Sequence, residues 1–371
     1  MRTYDMKAVL SIFLIGLFFH SGPAANAIEG KYQRLNKDQS KSSDKTELVL
    51  STEFVISNAG NTDEYLFVSP VDLDIDRNGN IYVLDSGDCK IKVFDSNGNY
   101  TFSFGSKGQG PGEFQSPASI NITESNEVMV YDLRIRRISL FSLLGIFKNQ
   151  KNVSSIFSMN RLKTNTENDP YAILIERDKF SIVKFKKDFS SSEVIKERQF
   201  DLATESQPST HLLSPSLFYC LTNTYLVCGY SDKYELEIMN FQGNVINKIQ
   251  KKYTPTRVSK DMKDHVINLL TSGRGFPKNW NVIEPEFCPS FMNLSADDKG
   301  RIFVGTFERP KNEPGSFYFD VYDQKGSYIS KFPLEIRDYR HQLKWKNNKL
   351  YIIDIDDEGS YFVKKIDTSW N

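Results

Sequence analysis

The strongest constraint on the fold is a segment that occurs twice in succession without a gap. The matched positions, at a constant offset of 47 residues, include Pro70 and Pro117, Asp85 and Asp132, Phe94 and Phe141, and Gly98 and Gly145. A match of this length indicates a repeated supersecondary unit, and such units bury their apolar faces only by stacking on one another. The chain is therefore expected to fold as an array of similar units.

Each unit has the pattern of four short antiparallel strands. In the first unit the predicted strands are Val71–Ile75, Asn80–Leu84, Lys90–Phe94 and Tyr100–Phe104. The turns that join the first two and the last two strands contain Asn78-Gly79 and Asn97-Gly98. Asn-Gly pairs are typical of tight hairpins because both residues tolerate positive φ. One unit is thus a small four-stranded sheet.

Weaker copies of the unit continue to the end of the chain. They begin near residues 168, 218, 294 and 342, and the last copy provides only three strands. We expect Glu47–Ser57, near the start of the chain, to supply the missing strand beside the final unit. The predicted fold is an all-β, six-bladed β-propeller, which fills residues 46–371 as a single domain and is closed by an N-terminal strand that completes the last blade.

The first unit carries motifs that resemble a known repeat. The stretches "GNIYVLDS", "KIKVFDSNG" and "FGSKGQGPGEFQSP" look like NHL repeats, and the chain is similar to exported NHL-type six-bladed propellers of Bacteroidetes-like bacteria. The resemblance is strong over residues 70–117 and fair to about residue 148. Beyond that residue it is limited to the architecture. It implies a propeller whose ligand sites surround the mouth of the central channel.

The glycine-rich stretch Phe104–Phe114, "FGSKGQGPGEF", has two interpretations. Crowded glycines can cradle a phosphate group, but a phosphate-binding loop opens a helix whose N-terminus faces the ligand. The residues that follow, Ser119–Ile122, have the pattern of a strand. We therefore predict a bend that leads from the outer strand of one blade to the inner strand of the next, where glycine permits the reversal.

The first 27 residues have the pattern of a secretory signal peptide. A polar start is followed by the apolar run Ala8–Phe19 and by small residues that end at Ala27, after which we expect cleavage. The apolar run is too short to span a membrane, which takes about 20 residues. Residues 28–45 are expected to form a flexible linker. The protein is predicted to be periplasmic or secreted, with no transmembrane segment.

The charge balance argues against a nucleic-acid partner. Lysine plus arginine and aspartate plus glutamate each number 47, whereas nucleic-acid binding demands concentrated positive charge. The spacings of Cys89, Cys220, Cys228 and Cys288 fit no zinc pattern. A hairpin turning at Thr222-Asn223 would place Cys220 opposite Tyr225 and Cys228 on the other face of the sheet. We therefore predict free, buried thiols.

The largest irregular feature is an insertion of residues 252–285 between the fourth and fifth blades. Ser259 is a predicted helix N-cap, and Met262 and Val266 lie on one apolar face of the helix that follows. The helix could be a cap packed on the ring. It could also be a lid whose next loop offers Arg274 and Trp280 to a ligand, since long loops in compact domains are often functional.

Further candidate binding residues lie in loops of the same face. They are Asp88 in the first blade, Lys107 in the glycine-rich connection, and Arg134 and Arg136 in the second blade. Arg134 and Arg136 could bind an anion or serve only the surface. Arg137, at the position of Lys90 one repeat earlier, is expected to have a structural role and to pair with Asp132.

These observations favour a non-enzymatic binding or scaffold protein, expected to be a monomer, that recognises a protein, peptide or glycan through the loop-rich face. The alternative is a metal-dependent propeller enzyme of the lyase or lactonase type, since the related lyases bind metal through histidines and the lactonases bind calcium. His211, His265 and His341 lie in unrelated contexts. We predict no cofactor and no catalytic residue, and calcium at Asp85 or Asp88 is a minor alternative.

Overall fold

The protein forms a ring of six four-stranded antiparallel sheets. The structure, a computed structural model, describes residues 47–57, 66–153, 158–176, 178–199, 209–271, 281–313, 315–337 and 343–370. The signal peptide, the linker, Arg274, Trp280 and His341 lie outside these residues. The described helix is not long and apolar enough to cross a membrane. The prediction of a six-bladed propeller is confirmed.

The strands follow the chain in blade order. Strand β1 (Leu48–Ser57) precedes the first blade, which comprises β2 (Pro70–Ile75), β3 (Ile81–Asp85), β4 (Lys90–Phe94) and β5 (Tyr100–Phe104). The short β6 (Ser106–Lys107) and β7 (Glu113–Phe114) lead to the second blade, β8 (Pro117–Ile122), β9 (Glu127–Asp132), β10 (Arg137–Ser142) and β11 (Phe147–Asn152). The third blade comprises β12 (Ser158–Thr164), β13 (Pro170–Ile175), β14 (Lys179–Phe185) and β15 (Ser192–Gln199).

The second half of the ring contains the insertion. After β16 (Ser209–His211), the fourth blade comprises β17 (Leu217–Leu221), β18 (Leu226–Tyr230), β19 (Glu235–Met239) and β20 (Val245–Gln250). Helix α1 (Lys260–Thr271) and β21 (Asn281–Ile283) precede the fifth blade, β22 (Asn293–Ala296), β23 (Ile302–Gly305), β24 (Ser316–Tyr322) and β25 (Tyr328–Glu335). The chain ends in β26 (Lys344–Lys346), β27 (Lys349–Ile355) and β28 (Tyr361–Trp370).

The tight turns form as the sequence predicts, because one side chain binds the backbone of each turn. In the first blade Asp76 Oδ1 accepts hydrogen bonds from the N–H of Asn78 at 2.8 Å and of Asn80 at 2.9 Å. Gly79 between them has φ +85°. Asp95, Asn165 and Asp297 bind their own turns in the same way. The observed strands β2 and β3 differ from the predicted bounds by one residue at their ends.

The two ends of the chain share the sixth sheet, whose strand order is β1-β28-β27-β26. Strand β1 pairs antiparallel with β28, from Leu48 opposite Trp370 to Ser57 opposite Phe362. Glu53 of β1 forms ion pairs with Lys349 of β27 and with Lys365 of β28. The predicted closure of the ring by an N-terminal strand is confirmed.

The junction between the sixth and first blades provides a test of this closure. Gly98 has φ +86°, and a Cβ built on it would lie 2.7 Å from the ring of Phe54 in β1. Gly98→Ala is therefore expected to lower the free energy of unfolding by about 2–4 kcal/mol, because backbone strain and overpacking add. Chemical denaturation measures the loss.

Gly359→Ala is the matched control for the Gly98 variant. Gly359 has φ +82°, but a Cβ there would meet nothing within 4 Å. This variant should lose only the strain of a left-handed residue, about 1–2 kcal/mol. Equal losses of stability in the two variants would show that contact with Phe54 adds nothing to the cost of the Gly98 substitution.

The core consists of apolar layers between neighbouring blades. Between the sixth and first blades, for example, Ile353 and Val363 pack with Ile81 and Phe94. All four cysteines are buried and free, as predicted.

The predicted register of the Cys220 hairpin is wrong by two residues. Cys220 pairs with Val227, and Cys228 lies opposite Tyr219. The difference arises because the turn runs from Thr222 to Tyr225, held by the Thr222 hydroxyl. The two thiols still lie on opposite faces of the sheet, in different apolar layers.

Candidate functional site

The glycine-rich connection encloses a cation and not an anion. The guanidinium of Arg137 donates to the carbonyl oxygens of Gln109 at 2.8 Å, Gly110 at 2.9 Å and Glu113 at 2.5 Å. Strands β6 and β7 close the loop by parallel pairing, and strand β8 follows. The predicted bend is confirmed. Arg137 is structural, but the partners of its guanidinium are these carbonyls and not Asp132.

A buried ion pair occupies the centre of the loop between β3 and β4. Lys92 is 1% exposed, and its Nζ lies 2.6 Å from Asp85 Oδ2 and 3.0 Å from Asp88 Oδ2. Asp85 also accepts hydrogen bonds from the N–H of Val68 and of Ser69, each at 2.8 Å. The Lys92 ammonium thus lies between the two carboxylates that a calcium ion would need. These residues do not fit a calcium site.

The equivalent loop of the second blade presents two arginines to solvent. Arg134 and Arg136 are both exposed. Asp132 Oδ1 accepts hydrogen bonds from the N–H of Arg134 at 2.9 Å and of Ile135 at 3.2 Å, and Arg136 has φ 50°. Among the described residues, no ion pair or hydrogen bond holds either guanidinium. The backbone therefore fixes two charged side chains that remain available to a ligand.

Lys107 adds to this charge at the boundary between the first two blades. It is exposed at the end of β6. Burial and the negative charge of Asp132 raise the pKa of the Cys89 thiol, whereas the positive charge of Lys107 lowers it. Arg137, which directly follows Arg136, binds the carbonyl oxygens of Gln109 and Gly110 in the same connection that carries Lys107. We call Lys107, Arg134 and Arg136 the basic face.

The insertion places helix α1 against the ring. Ser259 Oγ accepts a hydrogen bond from the Met262 N–H at 3.2 Å, as expected of an N-cap. Met262 and Val266 are buried, and Met262 joins the apolar layer that contains Leu343. The helix therefore caps the junction of the fifth and sixth blades.

The inner strands are joined to one another by polar side chains around the ring axis. Asp72 Oδ2 accepts a hydrogen bond from the Ile120 N–H at 3.0 Å, and Asp74 Oδ2 accepts one from the Ile122 N–H at 2.8 Å. Asn121 repeats the pattern one blade later, since its Oδ1 accepts from the Thr164 N–H at 3.1 Å. In the first two blades, the side chains two and four residues before the inner turn thus reach the next inner strand.

The third blade carries two basic residues at these positions. Asp74 and Asn121 correspond to Lys163, which precedes the turn residue Asn165 by two, and Asp72 corresponds to Arg161. From the sixth blade, Lys344 reaches Asp74 at 2.9 Å. We call Asp72, Asp74, Arg161, Lys163 and Lys344 the axial cluster.

The axial cluster was not predicted from the sequence. Its charged residues lie on inner strands, where a polar residue in the sequence does not by itself indicate a binding site. The only signal was their spacing from the turns, which becomes visible once the third blade is aligned by Asn165.

The environment of the axial cluster lowers the pKa of Lys163. Burial and the positive charge of Lys344 lower the pKa of Lys163 to about 8, opposed by the negative charge of Asp72. Burial likewise lowers the pKa of Arg161 to about 10 and raises that of Asp72. The third and sixth blades lie opposite each other in the ring. Lys163 and Lys344 thus lie on inner strands, β12 and β26, on opposite sides of the axis.

The described part of the chain lacks a metal-binding cluster and has a groove on its outer side. No group of three or more histidine, cysteine, aspartate or glutamate residues there is close enough to hold a metal ion. A groove of about 480 Å³ lies between the outer strands β1 and β25, where Leu50, Pro333 and Lys364 contribute to its walls. This groove is on the outer side of the ring, away from the basic face and the axial cluster.

Solved structures share the fold. A Bacteroides fragilis NCTC 9343 protein described as exported matches with a TM-score of 0.52 and 11% identity, over 87% of this chain and 95% of its own. A member of the DUF4221 family from Bacteroides vulgatus ATCC 8482 matches with a TM-score of 0.51 and 12% identity, over 88% of this chain and 99% of its own. At these identities the similarity extends to the fold alone.

Sequence comparison gives a local and a broader match. The human E3 ubiquitin-protein ligase NHLRC1 is 32% identical over 72 residues, which are 19% of this chain and 18% of the length of that relative. The match supports the resemblance to NHL repeats. A model of the DUF5128 family, described as a 6-bladed beta-propeller, matches residues 26–243, more than half of the chain. The chain therefore belongs to the DUF5128 family of six-bladed β-propellers.

Proposed function

We propose that this protein is an exported, non-enzymatic binding protein that recognises an acidic protein, peptide or glycan through the basic face. The observation that carries the proposal is the pair Arg134 and Arg136. Both are exposed, both stand on a backbone fixed by Asp132, and neither is neutralised by a described residue. Guanidinium groups bind carboxylate, sulfate and phosphate groups through two parallel hydrogen bonds.

The rest of the basic face supports this role. Lys107 is exposed in the connection that leads into the second blade, while Asp88 is already paired with Lys92 at 3.0 Å. The local charge is therefore positive although the whole chain has a formal net charge of +0. A positive patch on a neutral protein favours acidic partners through complementary charge. The N-terminal pattern of a secretory signal peptide supports a location outside the cytoplasm.

Co-purification from the native cell envelope tests the proposal. The full-length protein should recover a partner that Arg134→Gln/Arg136→Gln recovers at least about tenfold less, because charge-assisted hydrogen bonds at an interface are lost. Raising the salt to about 0.5 M should weaken recovery similarly. Quantitative mass spectrometry and glycan analysis of the recovered material measure the effect and identify the ligand class.

Lys299→Gln/Lys325→Gln is the matched control. Both lysines are exposed and lie in turns of the opposite face of the ring, and the variant changes the net charge by the same amount. It should recover the partner like the wild type. The proposal is wrong if the arginine variant recovers the same partner in the same amount as the wild type. It is also wrong if the wild type and the lysine control have no recovered partner in common.

A further inference from the structure

Two basic side chains at the ring axis form no direct ion pair with any residue that the structure describes. Lys344 is neutralised by Asp74 at 2.9 Å, but no ion pair or hydrogen bond joins a described residue to the side chains of Lys163 or Arg161. Arg161 Nη1 is buried and has no hydrogen-bond partner. Burying a cation without a partner is unfavourable, so such an arrangement calls for an explanation.

The neighbouring carboxylates are already engaged by the backbone of the ring. Asp72 accepts hydrogen bonds from the N–H of Leu73 at 2.9 Å and of Ile120 at 3.0 Å, and from Ser119 Oγ at 3.2 Å. Asp74 accepts from the N–H of Ile122 and binds Lys344. These bonds hold both carboxylates in place and prevent them from moving to the free cations. The open part of the axial cluster is therefore positive.

The strand that carries the two cations is distorted in a way that holds them in place. Strand β12 has an irregular register between Asn160 and Lys163, and Arg161 in this bulge has φ 56°. The guanidinium carbon lies 4.5 Å from the centre of the Phe218 ring, and the Arg161 carbonyl accepts a hydrogen bond from the Tyr219 hydroxyl. Bulges commonly re-aim side chains beside functional sites. In this stacked guanidinium, Nη1 has no hydrogen-bond partner.

We propose that the axial cluster binds the carboxylate or phosphate group of a small ligand, with Arg161 and Lys163 as the two donors. The planar guanidinium would donate to two oxygens of the group, and the Lys163 ammonium would supply the second charge. Lys163 and Arg161 are each partly exposed to solvent. This site is separate from the basic face and does not depend on its function.

Calorimetric titration of the full-length protein with sodium succinate and with inorganic phosphate, at constant ionic strength, tests the proposal. At about pH 7 the wild type should bind at least one of them, and the stronger one identifies the group preferred. Lys163→Met should bind that anion at least about tenfold more weakly, because a charge-assisted hydrogen bond is lost. Lys299→Met, which removes an exposed lysine of the turn between β22 and β23, should bind like the wild type.

The pH dependence adds a second signature. Succinate keeps its charge above about pH 7, so its affinity should fall as Lys163 loses its proton near pH 8. The charged and titratable groups that face Lys163 are Lys344, Asp72, Arg161 and Cys220. The proposal is overturned if the wild type binds neither anion at millimolar concentration, or if Lys163→Met binds with wild-type affinity.

A labelling experiment covers the case in which the variant does not fold. An amine-reactive reagent applied to the wild type at about pH 7.5 should modify Lys163 faster than Lys299, because more of its amine is uncharged, and peptide mass spectrometry quantifies both. Saturating succinate or phosphate should slow labelling of Lys163 severalfold and leave Lys299 unchanged. Labelling of Lys163 that is indifferent to both anions would overturn the proposal.

Discussion

Asp85→Ala is expected to lower the free energy of unfolding by about 3–5 kcal/mol. The Asp85 carboxylate is fully buried and lies 2.6 Å from the Lys92 ammonium. Its removal leaves a buried cation with only Asp88, whose side chain is 28% exposed, as a charged partner. It also deprives the N–H groups of Val68 and Ser69 of their acceptor. Urea denaturation followed by circular dichroism measures the loss.

The repeat itself provides the control for this prediction. Asp132 occupies the same position one blade later and accepts hydrogen bonds from the N–H of Gln115 and Ser116, but Ser139 stands where Lys92 would be. Asp132→Ala should therefore lose hydrogen bonds alone, about 1–3 kcal/mol. Asp85→Ala/Lys92→Met should regain part of the loss, because it removes both charges. Equal losses at Asp85 and Asp132, with no recovery in the double variant, would refute the role of the buried charge.

Lys163→Met is expected to raise the free energy of unfolding by about 1–3 kcal/mol at pH 7, because it removes a partly buried cation that forms no ion pair with a described residue. The pKa of Lys163 falls from 10.5 to about 8 on folding. Between these pH values the folded protein binds fewer protons at this site than the unfolded chain, so the wild type gains stability as the pH rises. The advantage of Lys163→Met should therefore shrink from about pH 8 and vanish near about pH 10.5.

Urea denaturation at several pH values measures this difference. Lys299→Met serves as control, since Lys299 is exposed and its replacement should change stability by less than about 0.5 kcal/mol at every pH. The charges of Lys344, Asp72 and Arg161 are present in both proteins and largely cancel in the comparison. A variant that is less stable than the wild type at pH 7, or an advantage that does not change with pH, would contradict the prediction.

The architecture was predictable because each unit carries its own turn chemistry. The Asn-Gly pairs at Gly79 and Gly98 specify hairpins locally, and the constant offset specifies how many residues each blade uses. Even the closing strand β1 could be predicted, since the last unit lacked one strand. The register at Cys220 was missed because Thr222 and Tyr225 form a longer turn than the sequence suggests.

The site was less predictable because its parts meet only in the assembled ring. Asp72, Lys163 and Lys344 lie in three different blades, and no local pattern connects them. Arg134 and Arg136 could be selected from the sequence, since they have no counterpart in the preceding repeat. The sequence did not show that Asp88 is paired. Its partner Lys92 reaches it only because β4 folds back against β3.

The shared sixth sheet has a consequence for how the chain is made. Glu53 of β1 and its partner Lys349 are separated by 296 positions, and at about 5–20 residues per second a ribosome needs roughly 15–60 s to cover that distance. During this interval β1 has no neighbour to pair with, and an unpaired strand edge invites association with other chains. The sixth sheet can therefore form only after β27 and β28 have been synthesised, and until then the unpaired edge of β1 is exposed to other chains.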